Sequence, residues 1–100
     1  HNLDGSIEGV ILKCDRFGNL LTNLAAEDVP ADRTNFSIEL GGLRITRFCR
    51  FYAEAQPGEV FAIVGSSGLL EIAMNRGSAT EESGITSGTR FRVIRSGKLS

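Results

Sequence analysis

The stretch Gly65-Ser66-Ser67-Gly68-Leu69-Leu70-Glu71-Ile72-Ala73-Met74-Asn75-Arg76-Gly77 decides how this chain is read. Its front is a small-residue turn. A Ser-Ser pair between two glycines lets backbone N–H groups and two hydroxyls approach a ligand, because glycine adds no bulk and accepts positive φ. Leu69–Met74 behind it is apolar apart from Glu71. Its length fits a strand or one to two helical turns, and periodicity alone does not separate them. Gly68 and Gly77 bracket a segment of strand length, so a strand is expected. Glu71 then faces away from Leu70 and Ile72, as a solvated strand position or as a ligand group.

Working outward, Val60–Val64 is short and continuously apolar, as in a buried strand. It makes the Gly-Ser-Ser-Gly turn the tip of a hairpin. Residues 53–59 form a loop marked by Pro57-Gly58. Residues 43–52 are expected as one strand. Leu43, Ile45, Arg47, Cys49 and Phe51 would share one face, and Arg44, Thr46, Phe48, Arg50 and Tyr52 the other. Gly41-Gly42 is a hairpin signal joining that strand to 35–40, where Phe36, Ile38 and Leu40 alternate with Asn35, Ser37 and Glu39. Nearer the start, Ile7–Cys14 is apolar on both faces, as in a strand covered on both sides. Residues 20–24 form a second apolar run, and 25–32 hold at most a short helical turn. Residues 77–88 read as a polar surface loop with room for a brief helix. Residues 89–95 read as the last strand.

Short strands with turn signals between them, and no long helical period, predict an all-β fold. The expectation is a single small β-barrel domain over residues 1–100, with about seven short, mainly antiparallel strands. The 100 residues suffice for one domain with a real core.

Composition narrows the function classes. With 11 basic and 12 acidic side chains and a net charge of -1, no overall basic footprint for nucleic acid exists. No apolar run approaches the length that spans a bilayer as a helix. No membrane partner is expected, and the two cysteines, Cys14 and Cys49, fit reduced thiols in a cytoplasmic protein. Their spacing makes no zinc motif, and the single histidine is His1, so neither a metal site nor a cofactor is expected.

Three stretches carry groups suited to a ligand. Asp15-Arg16-Phe17-Gly18-Asn19 offers a carboxylate for a cation, a ring for stacking and a carboxamide able to read an adenine edge. The same residues also make an Asx-type turn with Phe17 in the core. Phe51-Tyr52 must point one ring each way, leaving one free to line a site. In the Gly65–Gly77 stretch, Ser66 and Ser67 suit a carboxylate. Met74, Asn75 and Arg76 have backbone groups for a ring edge. No nucleophile–base pair is visible, so the chain supplies binding groups without evident catalytic machinery.

Asp15-Arg16-Phe17-Gly18-Asn19-Leu20-Leu21-Thr22-Asn23, then Tyr52, Pro57-Gly58-Glu59, and the stretch from Gly65 to Ala79 together resemble the C-terminal domain of the S-adenosyl-L-methionine hydroxide adenosyltransferases, relatives of the fluorinase and chlorinase enzymes. The resemblance covers most of the chain, in order. It implies a two-domain protein whose larger N-terminal α/β domain is absent here. It implies homotrimers with the substrate S-adenosyl-L-methionine held between the N-terminal domain of one subunit and the C-terminal domain of the next. It also implies hydrolysis to adenosine and methionine by attack of water or hydroxide at the ribose C5′. The Asp-Arg-His group that positions the water would lie in the N-terminal domain, leaving no catalytic residue in this chain.

Carried onto this sequence, the resemblance implies that Asp15 contacts the methionine ammonium. Phe17 and Tyr52 flank the adenine, and Asn19 bonds its edge. Ser66 and Ser67 hold the methionine carboxylate, Met74 and Arg76 offer backbone groups to the adenine, and Glu71 is a further site residue. Two departures stand out. The fluorinase-like members carry a basic residue where Ser67 stands, and Asp15 is one residue closer to Phe17 than in those members. The competing reading is a non-enzymatic nucleotide-binding or interaction barrel, with Phe48, Tyr52 and Phe61 among Arg44, Arg47 and Arg50 as its platform.

Overall fold

A computed structural model describes residues 6–29, 36–75, 81 and 84–95. The strands are β1 (Ile7–Cys14), β2 (Leu20–Ala25), β3 (Phe36–Leu40), β4 (Leu43–Ile45), β5 (Phe48–Cys49), β6 (Val60–Val64), β7 (Leu69–Met74) and β8 (Arg90–Arg95). They form one sheet in the order β4-β3-β8-β1-β2-β7-β6-β5. Every pairing is antiparallel except β5 with β6. The all-β, single-domain, barrel-like expectation therefore holds, and β1, β6 and β7 lie where the sequence puts them.

The sheet curls because its residues share one core. Ile45 at one end and Ala62 near the other belong to the same buried cluster, with Ile11, Leu20, Ile38, Leu70, Ile72, Phe91 and Val93 between them. At the open seam Phe36 of β3 meets Phe48 of β5 edge-on, ring centres 5.8 Å apart. That geometry suits the ring quadrupoles and stitches the half-barrel where no pairing among the described strands closes it. β1 serves both halves. Ile7 to Val10 pair with β8, and Ile11 to Cys14 pair with β2 across an irregularity between Ile11 and Lys13. A bulge of this kind bends a strand and lets it turn a barrel corner. Gly9 lies just before the bend, where a Cβ would fall 2.5 Å from Phe91 Cζ and 3.0 Å from Leu24 Cγ. Glycine is there to let an aromatic ring cross the backbone.

The expected single strand over 43–52 is corrected by the structure: it is two strands. The chain bends at Thr46-Arg47 and leaves β3's partner to run parallel to β6, with Ala62 N–H donating to the Arg47 carbonyl at 2.9 Å. The bend shifts the two-residue alternation by one. Phe48 therefore packs on the main core with Ile45, while Cys49 turns to the other face and is buried in a second cluster. A tyrosine-led 3-10 turn, Tyr52–Glu54, follows. Ser37, expected on β3's polar face, is buried opposite Ile94 of β8. The short turn expected within 25–32 is the 3-10 turn Ala26–Asp28. Half of the expected loop over 77–88 lies outside the described residues.

The two halves of the sheet differ on their outer faces. On the β4-β3-β8-β1 half, cross-strand neighbours alternate in charge, Arg44 beside Glu39, Glu39 beside Arg92, and Arg92 beside Glu8. All four are exposed, and such a ladder suits water. On the other half the corresponding row is Leu21, Glu71, Ile63 and Cys49. There the segment after β5 folds back over the sheet, burying Cys49, Ala55, Phe61, Ile63 and Ala73 together. The apolar outer face has obtained a cover, and the cover carries Tyr52.

Candidate functional site

Two hairpin tips frame the site, and they share one backbone design. In the β1–β2 tip, Gly18 N–H donates to Asp15 O at 3.0 Å and Asp15 N–H donates to Asn19 O at 2.9 Å. In the β6–β7 tip, Gly68 N–H donates to Gly65 O and Gly65 N–H to Leu69 O, both at 2.9 Å. Gly18 and Gly68 have φ of 85° and 86°. Each tip is thus a three-residue loop closed by a glycine in the left-handed region, a common hairpin solution in which that position excludes most side chains.

The tips lie at opposite ends of the β2–β7 pair. Leu20, next to the first tip, is opposite Ile72, whereas Leu69, next to the second, is opposite Ala25. Three residues of β7 separate the two ends, about 10 Å at the rise of an extended chain. Glu71 lies on the outer face between them.

Asp15 is the centre of the first tip. Its Oδ1 accepts the N–H groups of Phe17 and Asn19, both at 2.9 Å, and its Oδ2 accepts Asn19 Nδ2–H at 3.2 Å. The Asx-type turn is therefore present, but Phe17 is not in the core. It is 69% exposed, with the Arg16 guanidinium 5.1 Å from its ring centre. The turn uses the carboxylate to hold Asn19 and leaves the Phe17 ring largely exposed, with Arg16 over one face.

Tyr52 approaches the same place from the cover. Its ring sits edge-on to buried Phe61 at 5.2 Å, and the Asn19 side chain lies close enough to its hydroxyl to act on it. Burial pushes the Tyr52 phenol up from its ordinary range, the neighbouring Asn19 side chain opposes that, and the charges of Glu71 and Asp15 add to it. Phe51, its neighbour, is more exposed and lies beside the Arg50 guanidinium.

Glu71 completes the cluster. Its carboxylate rests over Gly65, in space that a side chain there would occupy. Burial holds its pKa above the usual carboxylate range, and Asp15 raises it further. Removal from water and a like charge both disfavour ionisation, which makes this face receptive to a positive charge.

The structure thus gathers Asp15, Asn19, Tyr52 and Glu71, with Phe17 exposed beside them. Ser66 and Ser67 are exposed at the far tip, about 10 Å away along β7. Met74 turns its side chain toward the main core, so only its backbone is offered to this face. Arg76 lies outside the described residues. Gly65 and Asn75 carry more of the arrangement than their residue types suggest. Gly65 matters as the floor beneath Glu71, and the Asn75 side chain bonds Ala55 O at 2.6 Å. A glycine immediately before a serine pair, and a polar residue at a strand end, are the signals that the sequence offers for them.

The platform of the competing reading is not assembled. Phe48 and Phe61 are turned into the two cores, and Tyr52 lies on Phe61 rather than in line with Phe48. Arg47 donates to the Glu54 carbonyl, Arg50 pairs with the Glu54 carboxylate at 2.8 Å, and Arg44 neighbours Glu39. Among the described residues no group of three or more His, Cys, Asp or Glu is arranged to hold a metal ion.

Known proteins share this architecture. The family described as "SAM hydroxide adenosyltransferase C-terminal domain" matches residues 9–92. The (R)-S-adenosyl-L-methionine hydrolase of Thermus thermophilus is 40% identical over 87 residues, covering 87% of this chain and 32% of that protein. The crystal structure of a conserved hypothetical protein from Thermus thermophilus superimposes with a TM-score of 0.73 at 40% identity, over 87% of this chain and 34% of its own. An uncharacterized conserved protein from Thermotoga maritima gives 0.76 at 24% identity, over 90% and 36%, a likeness of fold alone. The chain spans about a third of the length of these relatives.

Proposed function

This chain belongs to the SAM hydroxide adenosyltransferase C-terminal domain family, and from that premise we propose that it is the substrate-binding domain of an adenosine-forming S-adenosyl-L-methionine hydrolase. The observation that carries the proposal is the gathering of Tyr52, Asn19 and Asp15 at one tip, with Asn19 Nδ2–H on Asp15 Oδ2 and Glu71 on the same face. Phe17 and Tyr52 would flank the adenine, and Asn19 would bond its edge. Backbone groups at Met74 and Arg76 would meet the ring from the end of β7. Ser66 and Ser67, at the other tip, would take the methionine carboxylate through hydroxyls and turn amides. Asp15 would serve the ammonium, and Asp15 and Glu71 together would give this face the negative field that a sulfonium and an ammonium favour.

The reaction asks little covalent chemistry of this domain. Water or hydroxide attacks the ribose C5′ as the C5′–S bond breaks. The bonding pair leaves on sulfur, giving neutral methionine thioether, and the attacking water's proton is lost to solvent or a base. A sulfonium is already a good leaving group, so catalysis rests on holding the ribose in line and limiting stray water. The residues that position the nucleophile would lie in an N-terminal domain, with the substrate at a contact between subunits of a homotrimer in the cytoplasm. No further cofactor is required by this chemistry.

The test is an adenosine-release assay on this chain alone and on the chain joined to its N-terminal domain. The joined protein should release adenosine and methionine in equal amounts, and the chain alone should not. Robust turnover by the chain alone overturns the division of labour. No adenosine from the joined protein overturns the hydrolase reading.

A further inference from the structure

Residue Asn75 makes three hydrogen bonds to the cover, all at one point just beyond β7. Its N–H donates to Glu59 O at 3.2 Å, its carbonyl accepts Gly58 N–H at 2.7 Å, and its Nδ2–H donates to Ala55 O at 2.6 Å. The first two bonds need only a backbone. The third needs an asparagine-like donor, and it lands on the residue that closes the Tyr52 turn, since Ala55 N–H donates to Tyr52 O at 3.0 Å. Ala55 is buried at 5% exposure, so its carbonyl has little access to water as a substitute donor. At its front the cover is tied differently. Glu54 accepts the Arg50 N–H at 2.6 Å and Arg50 Nε–H at 2.9 Å, and both groups are at the surface.

We propose that Asn75 is a positioning residue: its carboxamide fixes the Tyr52–Glu54 turn to the end of β7, and so sets the Tyr52 ring at the spacing from the β7 end that a purine needs. The inference rests on the functional reading above for the identity of the ring, but not for the Asn75–Tyr52 coupling itself. The arrangement places a wall of the site and the strand end that would read the ring edge under one side chain. Movement of one cannot then occur without the other. Asn75 touches neither the ribose nor the sulfonium in this scheme, so its loss weakens binding and leaves the chemical step alone.

The chain has one tyrosine and no tryptophan, so its tyrosine fluorescence reports Tyr52 alone. In Asn75→Ala, acrylamide quenching of that fluorescence should rise about twofold as a ring now 42% exposed is freed from its tethered place on Phe61. Should that variant not fold, Asn75→Asp, nearly the same shape without the donor, gives the same reading. In the protein joined to its N-terminal domain, Asn75→Ala should raise KM for S-adenosyl-L-methionine about tenfold with kcat within about twofold. Unchanged quenching in a folded variant overturns the coupling, and so does a fall in kcat with KM unchanged. If the joined wild-type protein fails to cleave S-adenosyl-L-methionine, the functional reading falls, and the quenching result still decides whether Asn75 positions Tyr52.

Discussion

The Glu71 carboxylate occupies the space that a side chain at Gly65 would need. Gly65 is not among the glycines with positive φ, so backbone freedom does not explain it; room for Glu71 does. Adding a methyl there meets the far end of a flexible side chain, which can swing aside. Gly65→Ala should therefore cost little stability, under about 1 kcal/mol, while moving the charge that borders the serine tip. Urea midpoints should stay close to wild type and the KM for S-adenosyl-L-methionine should rise several-fold. A large loss of stability would show that Glu71 cannot move.

Glu71 also sets a pH dependence. Its folded pKa is held above the unfolded value, first by burial and then by Asp15. The folded state therefore binds its proton more tightly, and the group's contribution to stability is most favourable below the ordinary carboxylate range. That contribution is lost as pH rises through the folded value. Glu71→Gln should raise Tm at pH 7 and have a smaller effect near pH ~4. An equal gain at both values would assign the effect to packing.

The two expected roles of Asp15 can be separated. Three N–H bonds to its carboxylate hold the turn, and its charge would serve the substrate. Asp15→Asn keeps an acceptor at Oδ1 and loses the charge, whereas Asp15→Ala loses both. Asp15→Ala should cost about 1–2 kcal/mol of stability, Asp15→Asn clearly less. Both should raise KM. If Asp15→Asn binds substrate like wild type, the residue's task is the turn alone.

Thr22 tests the β2–β7 pair from inside. Its buried hydroxyl donates to Leu70 O at 2.7 Å and accepts Leu24 N–H at 3.2 Å. Thr22→Val keeps the shape and removes both of these bonds, at a cost of about 1–3 kcal/mol in denaturant unfolding. A neutral result would mean that the strands re-pair around the change.

Gly9→Ala tests the barrel corner. The new methyl would press on the Phe91 ring in a packed interior, an overpacking of about 1–3 kcal/mol. Gly9→Ala with Phe91→Leu should recover part of the loss. Without such recovery, Gly9 would be required for the backbone and not for Phe91.

Much of the fold is legible in the sequence because alternation is a local property. Leu70, Ile72 and Glu71 divide between two faces in the structure as they do in the sequence, and the limits of β6 and β7 are marked by glycine and by charge. The bend at Thr46-Arg47 is not legible. Nothing in that run breaks a strand by itself, and the break comes from a distant partner, Ala62, whose N–H takes the Arg47 carbonyl. Phe48 and Cys49 change faces as a result. The site is legible as residue types around Asp15 and Ser66. Their arrangement is not, because it depends on the cover bringing Tyr52 to Asn19 and on Glu71 lying back over Gly65.

The shared design of the two tips has a consequence for how such a protein can diversify. In both, backbone bonds and one left-handed glycine frame the loop, with the Asp15 carboxylate added in the first, so Arg16 and Phe17 in one tip, and Ser66 and Ser67 in the other, contribute no side chain to holding the loop. All four are exposed. Selection can therefore exchange the ligand-facing letters at either end of the strand pair without reopening the folding problem. A change of preference at one end of a bound molecule need not disturb the other.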